Sequence, residues 1–145
     1  MKITAVQAVE IDITPRPTTA PRQASRGGQT TMARPLARYP GKTGHTNWQR
    51  AACVITTEDG TWGFGITVHS GPVVRIINDL LAPLLIGENC MATEKLWDLM
   101  VRAVMLYGGG LTSYAISAVD CALWDLKGKI LQRPVYELLG GPQKE

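Results

Sequence analysis

Residues 113–141 read SYAISAVDCALWDLKGKILQRPVYELLGG, and the spacing within them decides the fold. Ile116, Val119, Leu123, Leu126 and Ile130 fall at steps of three and four, the apolar stripe of an amphipathic helix. Ala115, Ala118 and Ala122 form a second stripe of small side chains beside it, which lets another backbone come close. Lys127 and Lys129 fall in the last turns, where cations favour a helix C-terminus. Arg133-Pro134 breaks this helix, and Pro134 suits the first position of a short one ending in Gly140-Gly141. Asp120 and Asp125 are the polar exceptions. Neither has a basic residue three or four positions away on its N-terminal side, so they read as solvated or capping carboxylates. A catalytic pair is set aside for want of a neighbouring base.

The chain has 145 residues and is 45% hydrophobic, enough for one core and too little for two. No run of about 18 apolar residues exists, which argues against a membrane span, and the N-terminus alternates instead of forming a signal-peptide block. Cys53, Cys90 and Cys121 are odd in number and far apart. They read as reduced, buried thiols of a cytoplasmic protein, not as a disulfide framework or a zinc site.

Working outward, residues 2–13 (KITAVQAVEIDI) alternate as a half-buried strand, with Ile3, Ala5, Val9, Ile11 and Ile13 on one face. RAACVITT (50–57) and TWGFGITV (61–68) are β-rich, and Glu58-Asp59-Gly60 joins them as a hairpin turn. Gly63-Phe64-Gly65 lacks the third glycine of a dinucleotide fingerprint, so these glycines permit close packing instead. Ser70-Gly71-Pro72 opens a helix with Val73, Val74, Ile77, Leu80, Leu81 and Leu84 as its buried face, and Pro83 bends or ends it before Gly87. Thr93 caps the next helix; its stripe is Leu96, Trp97, Met100, Val101 and Val104. The order is α+β: a three-stranded antiparallel meander followed by a helical bundle.

Between Asp12 and Glu58 there is no acidic residue, while Arg16, Arg22, Arg26, Arg34, Arg38, Lys42 and Arg50 are all basic. Charge so one-sided points to an anionic partner. Residues 14–49 also hold five prolines, too long a loop for a mere connection. A nucleic-acid arm needs stacking aromatics, and only Tyr39 and Trp48 are present, far apart. A transit peptide would precede the first strand. Gly41-Lys42-Thr43 imitates a phosphate loop, but Leu36 stands where its first glycine belongs. A lid closing over a carboxylate accounts for both position and charge, with a merely solvated loop as the alternative.

SAVDCALWDLKGK (117–129) followed by PVYELLGG (134–141) resembles the signature that closes the N-terminal domain in the enolase superfamily, in its mandelate racemase and muconate lactonizing branch. TTEDGTWGFG (56–65) and LLAPLLIG (80–87) resemble family signatures too, and ARPLARY (33–39) is similar to the long loop of the acid-sugar dehydratases, rhamnonate dehydratase above all. The resemblance implies a domain over 1–141, with 14–49 as a substrate-capping loop. It further implies that 142–145 begin a linker to a TIM barrel outside these residues. That barrel would supply the acid/base residues and bind magnesium through three carboxylates; no catalytic residue and no metal ligand is expected in this chain. Dehydration begins in such enzymes with removal of the proton alpha to a carboxylate. For contact with a sugar-acid substrate the resemblance implies a loop arginine, for which Arg50 is the nearest candidate with His45 its rival; Arg22 and Arg26 stand where a loop histidine would be. His69 reads as a satisfied structural histidine. Homo-oligomers and limited solubility are expected, since a bundle that rests on a barrel exposes apolar area alone. The alternative is a standalone interaction module; neither nucleic acid nor membrane is an expected partner.

Overall fold

A computed structural model describes residues 1–12, 49–107 and 109–142 of the chain. Strand β1 spans Ile3–Ile11, β2 Arg50–Thr57 and β3 Trp62–Thr67, forming an antiparallel sheet in the order β1-β2-β3. At the β2–β3 turn Gly60 takes a φ of 84°, a conformation that costs a glycine nothing. Asp59 organises the turn: its carboxylate accepts from the Thr57 hydroxyl at 2.6 Å and from the Thr61 N–H at 3.1 Å. Those donors hold its pKa below the ordinary value, the Thr57 hydroxyl contributing most.

The alternation expected for β1 changes phase. Ile3 pairs with Thr57 but Ala5 pairs with Thr56, so Thr4 is an extra residue, a β-bulge whose hydroxyl donates to the Thr56 carbonyl at 3.1 Å. Beyond the bulge the inward face belongs to Val6 and Ala8, and Val9 faces outward and exposed, contrary to the even alternation.

Two helical runs cover the inner face, and a third packs behind them. The first runs continuously as α1 (Ser70–Arg75), a π segment (Ile76–Leu81) and α2 (Ala82–Leu85). Its buried stripe is Val73, Ile77, Leu81 and Leu85, a strict step of four. A π turn is wider than an α turn and holds that period, which puts Leu85 inside where Leu84 was expected. Pro83 lies in the first turn of α2 and is tolerated; the helix closes at Leu85, ahead of Gly87 at φ 86°. Helix α3 spans Thr93–Val104 and buries Leu96, Met100 and Val104, while Trp97 stays largely exposed. Thr93 does not cap it: Ala92 holds the cap position, and the Thr93 hydroxyl instead faces the Lys127 ammonium at 3.3 Å.

Helix α4 spans Leu111–Leu131 and α5 Val135–Leu138. Pro134 sits one place ahead of the expected position, capping α5. Both stripes of α4 are used. Ile116, Val119, Leu123 and Leu126 enter the core, and Ala115, Ala118 and Ala122 are wholly buried. The small stripe lies against β3. A Cβ placed on Gly63 would come within 2.1 Å of the Ala122 carbonyl oxygen, and one on Gly65 within 1.9 Å of that of Ala118. Backbone meets backbone there, and no larger residue fits. Cys53 and Cys90 are buried, and burial pushes the Cys53 thiol up to about 12. Cys121 is exposed, against the expectation of three buried thiols, because its position on α4 falls outside both stripes.

Gly65→Ala is expected to cost about 3 kcal/mol or more, since neither backbone can retreat without breaking its own hydrogen bonds. Gly60→Ala meets open space and pays only for its positive φ, about 1 kcal/mol. Urea denaturation of the two variants beside the parent chain checks the difference.

Candidate functional site

The described residues that flank the basic segment stand together at one end of the sheet. Ile11 closes β1 opposite Arg50, the first residue of β2, so Asp12 and Gln49 stand side by side as the roots of residues 13–48. Arg50 is exposed at this seam. His45, Arg22 and Arg26 lie outside the described residues.

The seam is tied from below. The Gln49 carbonyl accepts from the Ser70 N–H at 3.0 Å, and the buried Ser70 hydroxyl donates to the Glu10 carboxylate. One serine thus joins the end of β1, the entry to β2 and the start of α1. Just ahead of it His69 adopts a φ of 62°, its ring edge-on to Tyr114 of α4 with centroids 4.9 Å apart. A left-handed backbone is unusual for a residue other than glycine, and here it turns the chain from β3 into α1. His69 is therefore structural, as expected. Glu10 and Ser70 carry no sequence signal of this role; their partners lie 60 residues apart.

The two acidic residues of α4 do different things. Five residues apart on an α-helix places them about 140° apart around its axis, so they form no pair. Asp125 is no cap and, though partly exposed, it is firmly partnered. It accepts the Phe64 N–H of β3 at 2.8 Å and the Lys129 ammonium at 2.6 Å. The basic neighbour lies four residues toward the C-terminus, the direction that orients best on a helix. Asp120 is half-buried on the face toward α3, beside a hollow of about 320 Å³ lined by Trp97, Val101, Ser113 and Ser117. Burial raises its pKa, and the nearby Glu94 carboxylate adds to the rise.

Among the described residues no three His, Cys, Asp or Glu side chains converge as metal ligands. These residues therefore do not fit a magnesium site, and no catalytic step can be built through one here. Nor is any described helix long and apolar enough to cross a membrane.

A three-stranded meander, a helical cover and a long segment rooted at one sheet end define the class. Residues 16–140 match the model of the mandelate racemase/muconate lactonizing enzyme N-terminal domain, and the chain belongs to that family of the enolase superfamily. Over 92 residues it is 48% identical to L-rhamnonate dehydratase of Saccharopolyspora erythraea, covering 63% of this chain and 24% of that protein. Rhamnonate dehydratase of Gibberella zeae superposes with a TM-score of 0.74 at 32% identity, over 99% of this chain and 36% of that one. The same enzyme complexed with Mg gives a TM-score of 0.65 at 38% identity, over 68% and 24%. The chain thus spans about a quarter to a third of the relatives it matches.

A carboxyl whose pKa rises on folding favours the folded state while it is protonated. Stability owed to Asp120 is therefore fullest below its ordinary value of 3.8 and is lost as pH climbs through the higher folded value. Asp120→Asn is expected to be the more stable form at pH 7, its advantage shrinking to nothing near pH 3. Thermal melts of both proteins from pH 3 to 7 check the sign.

Proposed function

We propose that residues 1–141 form the substrate-capping domain of a magnesium-dependent acid-sugar dehydratase. In this reading the basic segment 14–49 closes over a sugar acid held by a barrel that lies outside this chain. The observation that carries it is the pairing of Ile11 with Arg50. That pairing anchors both roots of a segment bearing Arg16, Arg22, Arg26, Arg34, Arg38 and Lys42, with no acidic residue within it. A guanidinium presents a planar fork that matches a carboxylate with two parallel hydrogen bonds, so a cationic lid suits an anionic sugar. Arg50 is assigned to the substrate's carboxylate or hydroxyls, with His45, Arg22 and Arg26 as further contacts. The substrate class is supported by the similarity to L-rhamnonate dehydratase, and the metal by the magnesium complex of the related enzyme.

The division of labour follows. The capping domain would orient the substrate and exclude water. Proton removal alpha to the carboxylate, and departure of the neighbouring hydroxyl, would fall to the barrel that also holds the magnesium. On its own this chain is then inactive.

The test joins the chain to the barrel of the Saccharopolyspora erythraea relative and measures turnover of sugar acids with and without magnesium. The 145-residue chain alone should show none, and chelation should abolish turnover by the joined protein. A charge-assisted hydrogen bond is worth about 1.5–3 kcal/mol, so Arg50→Ala should raise KM about 10- to 100-fold. Unchanged KM and kcat in both Arg50→Ala and His45→Ala would reject the capping role.

A further inference from the structure

Between α3 and α4 lies the hollow of about 320 Å³ that Asp120 borders. Along α3, Glu94, Trp97 and Val101 follow at steps of three and four; along α4, Ser113, Ser117 and Asp120 follow at steps of four and three. Each set therefore shares one helical face. Val101 and the buried Ile116 make an apolar floor, Ser113 and Ser117 an exposed rim, and Trp97, 46% exposed, an aromatic wall.

The charges at this hollow are unbalanced. Among the described residues every other acidic side chain has a partner. Asp79, Glu88, Asp98, Asp125 and Glu137 each meet a lysine or arginine. Glu10, Glu58 and Asp59 accept hydrogen bonds, and Asp12 too is engaged. Asp120 and Glu94 have neither ion pair nor hydrogen bond, and Asp120 feels only the like charge of Glu94. Glu94 is exposed to water, but Asp120 is half-buried and carries its charge against burial as well. Lys127, seven residues along α4, is turned to the Trp124 ring at 4.8 Å and to the Thr93 hydroxyl. The tryptophans repeat the pattern. Trp124 and Trp62 each carry a lysine ammonium over the ring, whereas Trp97, the third described, carries none.

We propose that this hollow binds a guanidinium group carried on a short apolar stem. Such a planar cation stacks on an indole face while forking two N–H groups to a carboxylate, so it engages Trp97 and Asp120 together. Glu94 adds a second negative charge, and the stem lies along Val101 and Ile116. An alkylammonium suits the place less, being a more strongly hydrated point charge. A metal ion suits it least, since no three His, Cys, Asp or Glu side chains converge among the described residues. Keeping a carboxylate where it costs stability is a mark of binding sites, and Asp120→Asn is expected to stabilise the empty chain at pH 7. The guanidinium belongs either to an arginine side chain of another polypeptide or to a small free molecule.

Titration of butylguanidine into the 145-residue chain at pH 7 tests this, with the Trp97 indole and Val101 methyl signals followed by NMR. Saturable binding in the millimolar range is expected for a ligand of this size. Butylamine should bind at least about threefold more weakly. Asp120→Asn should weaken butylguanidine binding about 10- to 100-fold, the loss of a charge-assisted contact, while its melting temperature shows that it is folded. Trp97→Leu, read on the Val101 methyls, should weaken it about two- to fivefold. Asp79→Asn, on the π segment, should change nothing. The tripeptide acetyl-Gly-Arg-Gly-amide separates the sources. If it displaces butylguanidine the natural cation is an arginine side chain; if butylguanidine binds and the tripeptide does not, it is a free molecule. No saturable shift up to about 50 mM, equal affinity for butylamine, or binding indifferent to Asp120→Asn overturns the proposal.

Discussion

The contact on which the architecture rests is that of two backbones, β3 and α4, brought together by Gly63 and Gly65 on one side and Ala118 and Ala122 on the other. Hydrophobic burial alone sets no such distance; it would be met as well by larger side chains held farther apart. Omitting the side chains lets the helix lie almost on the strand. At that separation the short carboxylate of Asp125 reaches around the strand to the Phe64 N–H, and Lys129 reaches the Trp62 carbonyl. The same intimacy leaves the alternate residues of β3, Trp62, Phe64 and Ile66, no choice but to face away.

The opposite edge is served by a different device. Asn78 occupies the π segment and spans the donor and acceptor of Ala8 with one amide. A π turn costs hydrogen-bond quality and is found mostly where it positions something. Here it accompanies both the step-of-four stripe Val73-Ile77-Leu81-Leu85 and the placing of Asn78 at the sheet. One irregularity in a helix and one glycine pair in a strand thus guard the two margins.

Much of this was legible in the chain itself, because meander, turn and α4 stripes depend on local periodicity. The Ala stripe and the Gly63/Gly65 spacing each announced a close approach, though not that they approach each other. What escaped were features set by partners distant in sequence. Thr4 looks like any strand residue until its bulge against Thr56 shifts the phase of Val6 and Ala8. Leu84 and Leu85 are indistinguishable in composition, and only the π turn selects between them. Thr93 has a capping side chain but spends it on Lys127. Asp125 reads as solvated because its chief partner is 61 residues away. Of the candidate site, the charge asymmetry and the place of Arg50 at the head of β2 were readable; the Glu10–Ser70–Gln49 tie beneath it was not.

The seam at Ile11 and Arg50 has an evolutionary corollary. Since the strands already hold the two roots as neighbours, closing a longer or shorter excursion between them costs little; doubling its length adds only about 0.6 kcal/mol. The sheet is thus largely indifferent to what is grafted there. An excursion rewritten wholesale, with one repertoire of side chains traded for another, would leave the glycine–alanine contact and the core behind it untouched.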